Sequence, residues 1–563
     1  MRTKLRPAAE PQARGRAPSP PRRPRLDRFE TAALLAFAGL SLVVLAGLVL
    51  RPLTLTGAES EVTGDQLQYF GWIRSAAEHG VIHNLWDIDP AGRSYFVHPG
   101  FLISGLLHRA GLDVIWAYQL LWKPVAIAVV FTGFLAYVRR LLPAGGARWA
   151  GLALALFYVT PAAALWGFGD LGEGLRRRLD FMSGEMWPGL YMWGYLMTAI
   201  AVGLLPLVLL AVERARTPER RARGPARVPA GRPAAGGALV VSWLQPWQGV
   251  VLLSTVVVVE ALAWRRDRGA SLGAAGPALG AVLLAGAAPL AYYLVLSRVD
   301  PSWELAGEAN RSFESWPASV WLLALAPLAV PAALAYRLPA PGWQELAVRV
   351  LPLAMVAEYW LISLSGAGTF PFHSLQGMSL ALGVLAVTGA RGWWPARGRL
   401  ARPWVAAAAV ALLTVPGVAH KLNLIRDDIH VAGQPYFYKP QEEAALDLIE
   451  RSPRAGGVLA PIYGGLMVPA RTGREAWVGQ VSWTPDYKRR VARSEALFTG
   501  RLGPAAAAAL VRESGAVFLF SDCQRRADLS AVLAPLLSST RRFGCATVYE
   551  VRPAALARSG GSA

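Results

Sequence analysis

Eleven apolar runs constrain this chain more than any other feature, because an uncharged stretch of about 20 residues has the length that crosses a bilayer as a helix. The first, TAALLAFAGLSLVVLAGLVL at 31–50, lacks the shorter apolar core and small-residue cleavage site of a signal peptide. It reads as an uncleaved anchor. Apolar length predicts helices at 31–52, 113–137, 147–166, 188–212, 233–245, 248–264, 272–296, 318–337, 347–364, 376–391 and 403–420. Composition agrees: 54% of the 563 residues are hydrophobic, only 17% are charged, and the mean hydropathy is +0.34. A soluble protein of this size is more polar.

Basic residues orient the spans. YVRRLLPAGGAR, ERARTPERRARGPARVPAGR, WRRDRG and RGWWPARGRLARP fall on one side, and loops of this kind stay cytoplasmic. An odd number of spans then leaves the N-terminus inside and the C-terminus outside a bacterial-type inner (plasma) membrane. The net charge of +20 resides largely in these Arg clusters, which argues against nucleic acid as a partner. Residues 1–30, rich in Pro and Arg without apolar periodicity, read as a disordered basic cytoplasmic tail. Residues 31–420 form the transmembrane domain, with a long external loop at 53–112. The stretch 233–264 fits one long helix or two short ones; Pro246 and Gly249 favour a break.

Residues 421–563 read as a small extracytoplasmic α/β domain. GGVLAPIYGG, GAVFLFSDC and CATVYEV have the character of short strands, and PQEEAALDLIERS and PAAAAALVRESG that of amphipathic helices. The fold class is therefore mainly α, a polytopic helix bundle with an external α/β domain. Cys523 and Cys545 fit either a disulfide or two buried thiols. No Cys/His spacing suits a metal.

Candidate functional residues cluster in the external segments. GDQLQYFGWIRSAAEHG places Asp65 and Gln66 just past the first span, where a carboxylate can face a substrate arriving from lipid. Tyr69, Phe70, Trp72 and Ile73 follow at helical spacing, as in a short helix lying in the interface. In GFGDLGEGLRRRLDFMSGEMWPGLYMWGY, Arg176, Arg177 and Arg178 stand on the side where Arg is scarce. They either bind an anion or pair with Asp170, Glu173, Asp180 and Glu185. His98, before Pro99, is an acid, a ligand or a helix-start residue. Asp300, Glu304, Glu308 and Arg311 follow the seventh span as head-group contacts or solvated charges. Within the spans, Lys123, Glu260 and Glu358 are the ionisable residues that stand out.

This layout resembles the GT-C superfamily of integral-membrane glycosyltransferases, in particular its polyprenyl-phosphate-sugar-dependent, bacterial mannosyltransferase-like members. The resemblance rests on a first span, an external loop opening with GDQLQY, and HPGFLISGLL leading into the second span. It continues in VLAPIYGGLMVPARTGREAWVGQVSWTPDY after the last span.

The resemblance implies that Asp65 acts as catalytic base, taking the proton of a sugar hydroxyl as that oxygen attacks the anomeric carbon. Attack opposite a lipid phosphate inverts the centre, as a single displacement must. The Arg176–Arg178 cluster would meet the donor phosphate. Gln66, Tyr69, His98, Trp247 and Gln248 in QPWQG, and His373 and Gln376 in FHSLQG, become candidates for a substrate pocket, although aromatics and amides also serve as interfacial anchors. Arg471 and Arg474, flanking a Thr-Gly turn, are candidates to reach lipid phosphate or acceptor. The partners implied are a polyprenyl-phosphate sugar, a lipid, glycan or protein acceptor, and membrane lipids. Several members carry two adjacent acids where this chain has Asp-Gln; that departure weakens the case for a divalent cation (Mg or Mn) as cofactor, which stays open.

A flippase or transporter of lipid-linked glycan, and a non-catalytic envelope-assembly protein, are the rival readings. The first expects a polar site near the bilayer midplane and internal repeats. Neither is visible here.

Overall fold

A computed structural model describes residues 25–59, 63–90, 92–166, 173–216, 231–267, 272–310, 316–365, 370–393, 403–430, 435–525 and 527–556. The tail at 1–24 and the basic loop at 217–230 lie outside the described residues. The chain is a helix bundle carrying a small mixed domain. Among the described residues, eight helices are long and apolar enough to cross a membrane: Arg28–Val49, Val114–Leu141, Leu196–Arg216, Pro246–Arg266, Gly276–Val299, Ala318–Ala335, Trp343–Leu364 and Pro403–Arg426. Three more expected spans coincide with shorter helices, Gly146–Phe157, Arg232–Leu244 and Met378–Trp393.

Three expected boundaries change. The third span, expected over 147–166, is the helix Gly146–Phe157 followed by a separate short helix, Pro161–Trp166. The fourth span begins at Leu196 instead of 188, because Pro188–Tyr191 forms a separate short turn of helix. The last helix, Pro403–His430, continues beyond 420, so the external domain starts later than expected. The stretch 233–264 is two helices. A Cβ added to Gly249 would lie 2.8 Å from the Ser242 Cα. In one continuous helix those residues would stand about 10 Å apart, so the chain folds back sharply at Gln245.

Packing follows small residues. Gly133 of Val114–Leu141 sits directly on the Gly203 carbonyl of Leu196–Arg216, leaving no room for a side chain. Lys123, on the same helix, is fully buried against Glu59 at 2.5 Å and also donates to the carbonyls of Ser41 (3.3 Å) and Met192 (3.0 Å). Glu260 accepts from Arg216 and from Trp343 Nε1 (2.9 Å). Both groups are thus neutralised by partners.

The C-terminal domain contains a four-stranded sheet in the order Val458–Leu459, Phe518–Ser521, Ala546–Val551, Leu537–Phe543, parallel between the first two and antiparallel elsewhere. Val458 pairs with Phe518, and Leu519 with Tyr549. Leu537–Phe543 was not expected from the sequence: it is an edge strand whose Arg541 and Arg542 face solvent, so no apolar alternation marks it. After Leu459 the expected strand ends early, and Ile462–Thr472 is a helix closed by Gly473 at φ +73°. Cys523 and Cys545 form a disulfide.

The first external loop and this domain are built together. Thr54 and Leu55 pair antiparallel with Tyr438 and Phe437. Asn84 donates to the Trp483 carbonyl (2.8 Å), and Arg490 pairs with Asp87 (2.7 Å). The helix Thr63–His79 therefore does not lie in the lipid interface as expected. Phe70, Trp72 and Ile73 are buried between the helices Pro99–Arg109 and Ile462–Thr472, where a larger apolar area leaves water than a membrane surface would cover.

Candidate active site

Asp65 occupies the first turn of Thr63–His79. Its carboxylate is half-buried, and each oxygen accepts one hydrogen bond at 3.2 Å: Oδ2 from the Tyr195 hydroxyl and Oδ1 from Gln480 Nε2. Tyr195 precedes the span Leu196–Arg216, whereas Gln480 belongs to the external domain. Three distant parts of the chain thus meet on one carboxylate. Crowding by protein raises the Asp65 pKa, against the two hydrogen bonds and the His373 side chain, which favour the charged form; Glu185 pushes it up further. A carboxylate that is destabilised as an anion yet reachable from solvent is a stronger base than a free one.

A second polar cluster lies within electrostatic reach of Asp65. Gln245 Nε2 donates to Gln376 Oε1 (3.0 Å), and Gln376 Nε2 donates to His373 Nδ1 (2.9 Å). That chain fixes the amide of Gln376. Glu185 Oε2 lies 3.4 Å from the same Nδ1 and accepts from the Tyr191 hydroxyl (2.9 Å). Gln248 donates to the His373 carbonyl (3.0 Å), and Trp247 meets the His373 ring edge-on at 4.9 Å. Of the residues expected to share a pocket, Trp247, Gln248, His373 and Gln376 stand together. Tyr69 flanks them, with its ring 6.0 Å from that of Tyr195.

Others are engaged elsewhere. Gln66 is buried; it accepts from the Glu59 backbone and donates to the Trp193 carbonyl (2.6 Å), so it braces the loop after the first span. His98 caps the helix Pro99–Arg109, and burial lowers its pKa to about 4, so it is neutral. Arg471 bonds Asp447 and Glu450, and Glu450 in turn pairs with Arg74, nine residues along the helix from Asp65. Nine helical residues span about 13 Å. Arg474 donates to the carbonyls of Ser452, Arg454 and Gly456. The structure does not bring either Arg to Asp65; both hold the external domain together.

Arg176 lies 4.0 Å from Asp180, whose Oδ1 contacts His420 Nε2 at 2.9 Å. Arg177 and Arg178 are exposed and have no ion-pair partner among the described residues. Arg178 is seven residues before Glu185 on the helix Glu173–Met186, hence on the same face about 10 Å away. Asp170 lies outside the described residues.

Among the described residues, no three His, Cys, Asp or Glu side chains converge as a metal-binding set. Both Asp65 oxygens face hydrogen-bond donors, an arrangement that suits proton transfer better than cation coordination. Sequence reasoning missed Tyr195, Gln245 and Gln480. All three lie in segments singled out from the sequence, Gln245 in QPWQG, Tyr195 at the end of LYMWGY and Gln480 in WVGQVSWTPD, but the partner of Gln480 is 415 residues away.

Fold and site together define a multi-pass helical membrane protein in which the Asp65 carboxylate is held between the helix bundle and the C-terminal domain. No family model matches the chain, and no curated protein matches it. Among solved structures it is similar to the oligosaccharyltransferase of Archaeoglobus fulgidus, at 13% identity and a TM-score of 0.49 over 90% of this chain and 69% of that one. It is also similar to ArnT from Cupriavidus metallidurans bound to undecaprenyl phosphate, at 14% identity and a TM-score of 0.49 over 93% and 99%.

Proposed function

We propose that this chain is a GT-C-type membrane glycosyltransferase that moves a hexosyl group from a polyprenyl-phosphate donor to an extracytoplasmic acceptor. The observation that carries the reading is Asp65: a half-buried carboxylate with a raised pKa, held by donors from the bundle and from the external domain. Asp65 takes the proton of an acceptor hydroxyl while that oxygen bonds to the anomeric carbon. The bond from that carbon to the phosphate oxygen breaks on the opposite face, polyprenyl phosphate leaves with the electron pair, and the centre inverts. Arg177 and Arg178 supply fixed positive charge for the departing phosphate, bidentately where geometry allows. The cluster of His373 and Gln376 orients the sugar through hydrogen bonds. Asp65 faces the outer side of a bacterial inner membrane, with the N-terminus cytoplasmic.

The test is sugar transfer in membranes containing wild type or Asp65→Asn at equal abundance, with a panel of radiolabelled polyprenyl-phosphate sugars and host lipid extract. Wild type should transfer label, and the variant should lose about two or more orders of magnitude. Transfer that survives the substitution removes Asp65 from its role. Donor binding without transfer by either protein supports a flippase or assembly factor instead.

A further inference from the structure

Tyr195 lies in a short stretch of chain, 192–196, whose backbone is gripped by side chains from outside it. Three successive carbonyls accept from three side chains: Met192 from Lys123 Nζ (3.0 Å), Trp193 from Gln66 Nε2 (2.6 Å) and Gly194 from the Tyr118 hydroxyl (2.9 Å). Lys123 and Tyr118 stand on the span Val114–Leu141, and Gln66 follows Asp65 on its helix. The Tyr118 oxygen also accepts from the Leu196 backbone N–H at 3.1 Å. One hydroxyl thus bonds both peptide groups that flank Tyr195, the carbonyl before it and the N–H after it. The two backbone torsions between those groups are restricted accordingly.

The local sequence suits this grip. Gly194 takes φ +98°, and a Cβ there would lie 2.2 Å from Gln66 Nε2, so the residue before Tyr195 has to be glycine. Tyr195 then leads into the span Leu196–Arg216, and its carbonyl accepts from the Ala199 N–H (3.0 Å). The Leu196 N–H is one of the amides that a first helical turn leaves without an internal acceptor. Tyr118 supplies the acceptor. Its ring is buried, 6.1 Å edge-on from Phe70 and 6.3 Å from Tyr69, both on the Asp65 helix. The Asp65 oxygens accept from Tyr195 and Gln480, so the route from Tyr118 to the carboxylate runs through Tyr195.

We propose that Tyr118 and Gln66 are positioning residues for Asp65: by clasping the backbone on either side of Tyr195, they hold its phenol on the carboxylate without waiting for substrate. A hydroxyl aimed by its backbone gives up less conformational freedom in making that bond than one on a loose turn. The role of the carboxylate as a base rests on the glycosyltransferase reading; the clasp itself does not. Tyr195, Gln480 and His373 favour the charged form of Asp65, Glu185 opposes it, and Tyr69 is buried beside them. Losing the Tyr195 bond therefore extends the protonated form to higher pH.

The experiment follows Asp65 in the full chain purified in detergent, with no donor or acceptor present. Dicyclohexylcarbodiimide adds to a carboxyl in its protonated form, and mass spectrometry of the peptide carrying residue 65 gives the labelling rate against pH. The midpoint should rise by on the order of one pH unit in Tyr195→Phe and by about half a unit or more in Tyr118→Phe. A Tyr118→Phe, Tyr195→Phe double variant should match Tyr195→Phe alone, because the clasp then has no hydroxyl to aim. Gln66→Leu, which releases the Trp193 carbonyl, should shift the midpoint in the same direction, and it decides the matter if Tyr118→Phe does not fold. Tyr137→Phe removes another buried hydroxyl from the same helix, one with no partner among the described residues, and should leave the midpoint unmoved. An unmoved midpoint in a clasp variant that melts like wild type overturns the proposal. So does a double variant whose shift is the sum of the singles, or a Tyr137→Phe shift as large as that of Tyr118→Phe. A shifted midpoint in a protein that transfers no sugar keeps the clasp and sinks the transferase reading; transfer by a protein whose midpoint ignores Tyr118 does the reverse.

Discussion

Gln480 Nε2 donates to Asp65 Oδ1 at 3.2 Å across 415 residues of chain, and Tyr195 holds the other oxygen. The base of the proposed reaction is thus completed by the external domain. Deleting either donor removes an interaction that favours the carboxylate, so the already raised Asp65 pKa rises further. Only the deprotonated form accepts a proton. Transfer should therefore fall as pH drops through that pKa, with its acid limb above the ordinary carboxylate range. Gln480→Leu and Tyr195→Phe should each move the limb of kcat/KM upward by on the order of one pH unit. An unmoved limb would assign the titration to another group.

Lys123 and Glu59 form a buried pair at the junction of the first two spans. Removing one partner leaves an uncompensated charge, and Lys123→Met or Glu59→Gln should cost about 3–5 kcal/mol. The double replacement Glu59→Leu with Lys123→Met should recover most of that loss. Thermal unfolding in detergent, followed by size-exclusion chromatography, reads all three. A double variant as unstable as the singles would show that hydrogen bonds to Ser41 and Met192, and not charge pairing, dominate.

In the external domain, burial pushes the Asp522 carboxyl up to about 6, and its Oδ2 has no partner. The native state therefore holds this proton to a higher pH than the unfolded chain, whose carboxyl titrates near 4. The stabilising contribution is complete below about pH 4 and is lost as pH rises through about 6. Asp522→Asn should flatten the melting temperature of this domain between pH 4 and 6 and raise it at pH 7. A variant whose profile still slopes like wild type would contradict the assignment.

The Cys523–Cys545 disulfide closes a loop with a sequence separation of 22. Its removal by a Cys523→Ser, Cys545→Ser double variant should destabilise the external domain by about 3 kcal/mol. Because Gln480 comes from that domain, transfer should lose its activity at a lower temperature than the helix bundle melts. Coincident loss of both would mean the two parts unfold as one unit.

The helical class was legible because apolar length is a local property, and every expected run overlaps a helix, although the third and fourth are each divided between two. The break at Gln245 announced itself through Pro246 and Gly249. Asp65 could be singled out by position, just outside the first span. What stayed hidden depended on partners remote in sequence. Nothing near Tyr195 or Gln480 signals that they converge on Asp65. Arg471 and Arg474 looked free because their acceptors, Glu450 and the carbonyls after Arg451, belong to another helix end. The Phe70, Trp72, Ile73 stripe has the same pattern whether it meets lipid or protein, and only the packed external domain decides.

The two-residue ladder of Thr54–Leu55 with Tyr438–Phe437 also has a meaning in time. A ribosome makes the first external loop early and its pairing strand only after the last membrane helix. Until that late segment emerges, the carboxylate has its Tyr195 donor but not Gln480. Every membrane helix can be in place while the site is still unfinished, so a truncated or stalled chain would anchor in the membrane without the second donor to Asp65.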